Sequence, residues 1–279
     1  MTGRNVRPAR FPPAAGIRPK QSLGQNFLTD ENVSRKIVRA FRPAAGDIVL
    51  EIGAGLGSLT GKLAGTVGHL TVVEIDGRVI AGLRSRFESA GVTVLHEDFL
   101  NVDLADLSRR HSSRLRLIGN IPYHLTSPIL FKVFDERTAV RDLTIMVQRE
   151  VARRIAARPG SRTYGILSVF AHFFGEPEVL FDVSPNCFSP RPNVISSVVR
   201  ISMDETPRFG VDEATFRLVV RTVFGKRRKT LKNCLKYLPY DETVLEKIGR
   251  IEFPTDKRPE QLDLEQFTDL VHRIQEVVT

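Results

Sequence analysis

Four consecutive residues, Asn120-Ile121-Pro122-Tyr123, have the composition and spacing for a specific piece of chemistry. An amine on an aromatic ring is a poor nucleophile because its lone pair is delocalised. It must be pyramidalised as it meets an electrophilic methyl carbon. Two acceptors aimed at its two N–H bonds would do this, and the Asn120 carboxamide oxygen and the Ile121 carbonyl can supply them. Pro122 fixes the turn and removes a competing donor. Tyr123 offers a face for stacking the ring that bears the amine. Positioning and electrostatics then dominate the reaction.

A second group suits a nucleoside ligand. In Glu51-Ile52-Gly53-Ala54-Gly55-Leu56-Gly57-Ser58, glycines stand at G-x-G-x-G spacing directly after an apolar run. Such a turn lets a ligand approach the backbone closely. The nicotinamide fingerprint would require glycine at 58, where this chain has serine, so a dehydrogenase reading is disfavoured. Glu74 lies 21 residues beyond Gly53 and can accept from both hydroxyls of a ribose. Asp98 is placed to accept from an adenine amine. Either acid alone reads equally well as a helix cap; together they favour an adenosyl ligand.

The elements that must carry these residues are visible as apolar runs. Residues 48–52, 69–73, 92–95 and 115–118 read as strands, and each ends next to a residue of the two groups above. Helix-length segments separate the first three, which predicts a βαβαβ arrangement with a parallel sheet and a ligand outside the carboxyl ends of its strands. Residues 143–147 read as a fifth strand, 149–157 as a helix, and 179–181 and 194–202 as late strands joined by a turn-rich stretch. Thr29 or Asp30 caps an earlier helix that Pro43 and Gly46-Asp47 end. From Asp212 only helical periodicity remains, and a boundary is expected near residue 205. The chain therefore divides into a mobile basic arm over 1–22, a domain over 23–205 and a helical domain over 206–279.

Charge adds a partner. The net charge is +9. Residues 1–25 and 221–236 together contribute +12 and contain no acid, leaving −3 for the remainder. Concentration of this kind resembles a footprint for a polyanion, and it points to Lys226, Arg227, Arg228, Lys229 and Lys232 as RNA-binding residues. A base within paired RNA would have to be flipped out to react. Phe188, in a loop restrained by Pro190 and Pro192, is a candidate second stacking face beside Tyr123. His124 is read as structural or adjacent to substrate. Two distant cysteines and six scattered histidines give no disulfide framework and no metal spacing. No signal-like or membrane-spanning run is present, so a cytoplasmic protein is expected.

Asn-Ile-Pro-Tyr fits the pattern N/D-x-P-Y/F, which resembles amino-methyltransferases acting on planar amines. A wider series, comprising Leu23-Gly24-Gln25-Asn26-Phe27-Leu28, the glycine turn, Glu74-Ile75-Asp76, Glu97-Asp98-Phe99, the tetrapeptide, Gln148 to Ala152, the Phe188 loop and Arg227 to Leu231, resembles the 16S ribosomal RNA adenine dimethyltransferases. The resemblance implies an α/β fold: a Rossmann-like seven-stranded methyltransferase sheet with a small C-terminal all-helical domain that contributes to RNA binding. It implies S-adenosylmethionine as cofactor, contacted by Asn26, Leu28, Gly53, Glu74, Asp98 and Asn120, with the Asn26 segment folding over it. It implies transfer of four methyl groups to two adjacent adenosines near the 3′ end of 16S rRNA in pre-30S particles, by a monomer without a metal. Ile121 and His124 depart from the family's more usual leucine and asparagine. Isoleucine at 121 also resembles erythromycin-resistance methyltransferases, which makes one adenosine of 23S RNA the alternative target. A non-catalytic RNA-binding or transcription factor on the same fold is the other alternative; it would show decay of the tetrapeptide or glycine turn, and both are intact.

Overall fold

The computed structural model describes residues 17, 19, 20, 23–206 and 208–278. The arm expected over 1–22 lies outside the described residues, apart from Ile17, Pro19 and Lys20. The chain runs through β1 (Phe27–Leu28), α1 (Glu31–Phe41), β2 (Ile48–Ile52), α2 (Thr60–Leu63), β3 (His69–Glu74), α3 (Gly77–Phe87), β4 (Val92–His96), α4 (Leu104–Arg110), β5 (Leu115–Asn120) and α5 (Thr126–Asp135). There follow β6 (Val140–Gln148), α6 (Arg149–Ile155), α7 (Ile166–Phe174), β7 (Gly175–Val183), β8 (Phe188–Ser189) and β9 (Ser196–Met203). Four helices end the chain: α8 (Glu213–Gly225), α9 (Leu231–Leu235), α10 (Glu242–Ile248) and α11 (Leu264–Val278).

Among the described residues, seven strands form one sheet in the order β4-β3-β2-β5-β6-β9-β7. Strands β2 to β6 pair in parallel, and β9 runs antiparallel to β6. The fold is α/β and Rossmann-like, as expected. Strands β5 and β6 are central and buried on both faces, so apolar residues fall at successive positions in Leu117-Ile118 and Ile145-Met146-Val147 instead of alternating. The strand order reverses between β2 and β5, where a sheet of this type opens a crevice for a ligand. Helix α1 starts where Asp30 accepts the N–H groups of Asn32 and Val33. It ends at Arg42, which adopts a left-handed conformation (φ 54°) just before Pro43.

At the amino end of β5, four residues from Asn120, the buried Arg116 clamps the sheet. Its guanidinium donates to Asp47 at 2.5 Å, to Asp142 at 2.9 Å and to the carbonyls of Phe41 at 2.6 Å and Arg42 at 2.9 Å. It also lies over the Phe41 ring, 4.1 Å from the centroid. A buried guanidinium is tolerated because its donors are satisfied and two carboxylates balance its charge.

The chain divides into two compact units, residues 1–152 with 176–205, and residues 153–175 with 206–279. The first unit ends at Glu205. Residues 153–175, expected within the sheet domain, group instead with the C-terminal helices. The physical cause is aromatic packing: Phe173 of α7 stacks on Phe216 of α8 with centroids 3.7 Å apart, and Phe170 lies 6.2 Å from the same ring. No helix among the described residues is long and apolar enough to cross a membrane.

Candidate active site

The carboxyl ends of β2, β3, β4 and β5 open onto one cleft. Gly53, Glu74, Asp98 and Asn120 all line it, so the strand-end residues picked out by sequence are brought together. The glycine turn is left-handed at Gly53 (φ 68°) and Gly55 (φ 52°). This turn aims the Gly55 N–H at the Glu74 carboxylate, 2.8 Å away, while the Asp76 N–H donates to its other oxygen at 2.9 Å. Two main-chain donors hold the carboxylate rigidly, and each oxygen keeps a lone pair for a further donor. Asp98 accepts the Leu100 N–H at 2.9 Å and starts a short 3-10 turn, so here the capping and site readings coincide.

Residues 23–28 form the neighbouring wall of the cleft and include the expected Asn26 and Leu28. Long-range links hold them. Phe27–Leu28 pairs antiparallel with Phe188–Ser189. The Gln25 carboxamide donates to Asp76 at 2.9 Å. The Asn26 carbonyl accepts from the Asn120 carboxamide at 3.0 Å. Sequence assigns Gln25 no role of its own, because its partner Asp76 lies 51 residues away.

Within the tetrapeptide, Asn120, Ile121, Pro122 and Tyr123 all border the cleft. The Tyr123 hydroxyl bonds Ser196 Oγ at 2.7 Å, which fixes the ring, and burial raises the phenol pKa above its usual value. Tyr123 also borders a second, open recess with Gly24, Asn26, His124 and Gln148. His124 is pressed against Gly24, where a Cβ would stand 2.9 Å from Nδ1. His124, read as structural or adjacent to substrate, thus packs near Gly24 and also borders this recess.

Phe188 is not brought to the cleft. It is only 6% exposed and belongs to the core beside Leu28, because its strand is consumed in the pairing with β1. The expected second stacking face is thus an interior side chain in this conformation.

Glu51 was quoted in the glycine turn without a role. It lines the cleft at 1% exposure and accepts the Thr60 hydroxyl at 2.7 Å. Desolvation pushes its pKa up to about 7, with the nearby Glu74 charge adding to the rise and the Thr60 bonds opposing it. An acid inside an apolar strand run was the available signal.

The basic cluster belongs to the C-terminal unit. Arg227 is already engaged, donating to the Arg162 carbonyl at 3.0 Å and pairing with Glu260 at 3.5 Å. Lys226 and Lys229 converge on Tyr237. Arg228 is exposed, as is Lys232.

Fold and cleft together define a Rossmann-like methyltransferase. Residues 16–276 match the family described as ribosomal RNA adenine dimethylase, and the chain belongs to that family. Ribosomal RNA small subunit methyltransferase A of Chlorobium phaeobacteroides is 45% identical over 254 residues, covering 91% of this chain and 93% of that protein. Its namesake in Caldanaerobacter subterraneus subsp. tengcongensis is 38% identical over 263 residues, covering 92% and 98%. Among solved structures, a dimethyladenosine transferase from Plasmodium falciparum shares the fold, with TM-score 0.76, 24% identity and coverage of 90% and 98%. The 23S rRNA methyltransferase ErmE gives TM-score 0.66 at 25% identity, covering 90% and 100%.

Proposed function

We propose that this protein dimethylates the N6 amines of two adjacent adenosines near the 3′ end of 16S rRNA, using S-adenosylmethionine, during small-subunit assembly. The observation that carries the reading is the charge of the cleft. Glu51, Glu74, Glu97 and Asp98 line it, and among the described residues no Lys, Arg or His does. S-adenosylmethionine has an ammonium and a sulfonium against one carboxylate, so an acidic cleft complements its net positive charge. The residues fit this cofactor.

In the proposed arrangement the turn at Gly53 admits the ligand to the backbone, and Glu74 accepts the ribose hydroxyls with its remaining lone pairs. Asp98 receives the adenine amine, Asn26 and Leu28 close the near wall, and Asn120 faces both ligands. The bound cofactor supplies an electrophilic methyl group on a good leaving group. Asn120 Oδ1 and the Ile121 carbonyl accept the two N–H bonds of the target amine and direct its lone pair outward, with the base on Tyr123. The amine releases one proton to water per transfer. After the first methylation one N–H remains, and one acceptor holds it for the second.

RNA binding is assigned to the helical segment after 205, chiefly through Lys226, Arg228, Lys229 and Lys232. The relatives at 45% and 38% identity carry small-subunit names, which supports the 16S target over the 23S alternative represented by ErmE at 25%. The proposal extends to pre-30S particles as substrate, a cytoplasmic location, and action as a monomer without a metal. Labelled S-adenosylmethionine and under-methylated 30S particles test it: dimethyladenosine should appear in the terminal 16S loop. Label confined to 23S RNA would reject the target, and no label in any RNA would reject the enzyme.

A further inference from the structure

In the helical unit, Tyr237 occupies the turn after α9 with its ring 48% exposed, while its neighbours Leu235 and Leu238 are buried. The ring is turned outward and contributes little to the core. The Nζ of Lys226 lies 4.5 Å from its centroid and that of Lys229 lies 4.8 Å away. Lys229 also donates to the Tyr237 hydroxyl at 2.7 Å, and this bond holds the phenol below its usual pKa.

Two ammonium groups gathered over one ring repel each other, and one anion held by both would relieve the repulsion. Glu260, the acid whose charge reaches the same neighbourhood as both lysines, is paired with Arg227 at 3.5 Å. We infer that Tyr237, Lys226 and Lys229 form a single-nucleotide subsite for unpaired RNA, in which the lysines take one backbone phosphate and the exposed ring stacks on a base. Phosphate beside a planar base matches both parts of the site. An acidic peptide would satisfy the lysines and leave the ring unused, and a base-paired duplex would keep its base faces covered. The inference rests on the RNA-substrate reading and adds a recognition element that the charge pattern alone does not contain.

The test uses the full chain and a short single-stranded oligoribonucleotide carrying 5-iodouridine, with affinity measured by fluorescence anisotropy over a salt series and contacts mapped by photocrosslinking. Melting temperature and S-adenosylmethionine binding check that each variant is folded. Tyr237→Ala should weaken binding roughly ten-fold, the size of one lost stacking contact, with the salt slope unchanged. Tyr237→Phe should stay near the parent. Lys226→Ala with Lys229→Ala should lower the salt slope by about one. A crosslink on Tyr237 in the parent chain would support the subsite. Unchanged affinity in Tyr237→Ala, or equal losses in the Ala and Phe variants, would overturn it while leaving the RNA reading intact. Failure of the parent chain to bind both the oligonucleotide and 16S RNA would instead remove the RNA reading itself.

Discussion

The Asn120 carboxamide donates from Nδ2 to the Asn26 main-chain carbonyl at 3.0 Å, across 94 residues of sequence. This bond orients the amide: with the nitrogen committed, Oδ1 is the atom left to act as acceptor. It also joins the wall formed by residues 23–28 to the residue proposed to hold the target amine.

Asn120→Asp separates these two functions. The variant keeps an acceptor but has no N–H for Asn26, and it sets a carboxylate against a carbonyl. We expect kcat to fall roughly 10²-fold or more, with weakened cofactor binding and a near-parental melting temperature. Asn120→Ala should abolish turnover without unfolding the protein. Single-turnover methylation with calorimetric titration of the cofactor checks both.

Glu51 predicts a pH dependence of stability. Its pKa rises from 4.5 to about 7 on folding, so the folded state holds the proton more tightly than the unfolded chain. The associated stability is fully present below the unfolded value and is lost as pH rises through the folded one, amounting to about 3 kcal/mol. Glu51→Gln should therefore gain stability over the parent at about pH 8 and show little difference at about pH 4. Parallel urea titrations at the two pH values measure it. A gap that does not widen with pH would show that Glu51 ionises normally.

Arg116 predicts a stability effect remote from the chemistry. Arg116→Met leaves Asp47 and Asp142 buried without their shared partner, and loss of one member of such a cluster costs about 3–5 kcal/mol. Denaturant unfolding should show this, while the folded fraction retains its methylation rate, because the clamp sits at the opposite end of β5 from Asn120.

The basic cluster should divide by role. Arg227→Ala should lower the melting temperature, because it releases the Arg162 carbonyl and Glu260. Arg228→Ala and Lys232→Ala should leave melting unchanged and reduce the salt dependence of RNA binding by about one slope unit each. Identical melting behaviour in all three variants would contradict this division.

Much of the candidate site was legible in advance because a parallel sheet places its strand-end residues at regular positions. An apolar run followed by Gly53, Glu74, Asp98 or Asn120 marks a strand end, and strand ends of such a sheet face the same crevice. The departures have long-range causes. Phe188 stands beside two prolines and reads as a loop residue, yet its two-residue strand pairs with Phe27–Leu28 and draws the ring into the core. The segment 153–175 reads as part of the sheet domain, but the aromatic face of α7 finds Phe216.

Sequence by itself determined the residue types and their order along the chain: the glycine turn, the strand-end acids, the acceptor tetrapeptide and the two basic stretches. These are local features, set by backbone periodicity and side-chain chemistry. Tertiary structure alone decided which groups are already spent on one another and which remain for a ligand. Asn120 has its nitrogen committed and its oxygen left as acceptor, Arg227 is engaged, Tyr237 is turned outward, and Glu51 shares a cleft with Glu74. The physical reason is that hydrogen bonding and desolvation depend on neighbours brought together by folding, as Asn26 and Asn120 are across 94 residues.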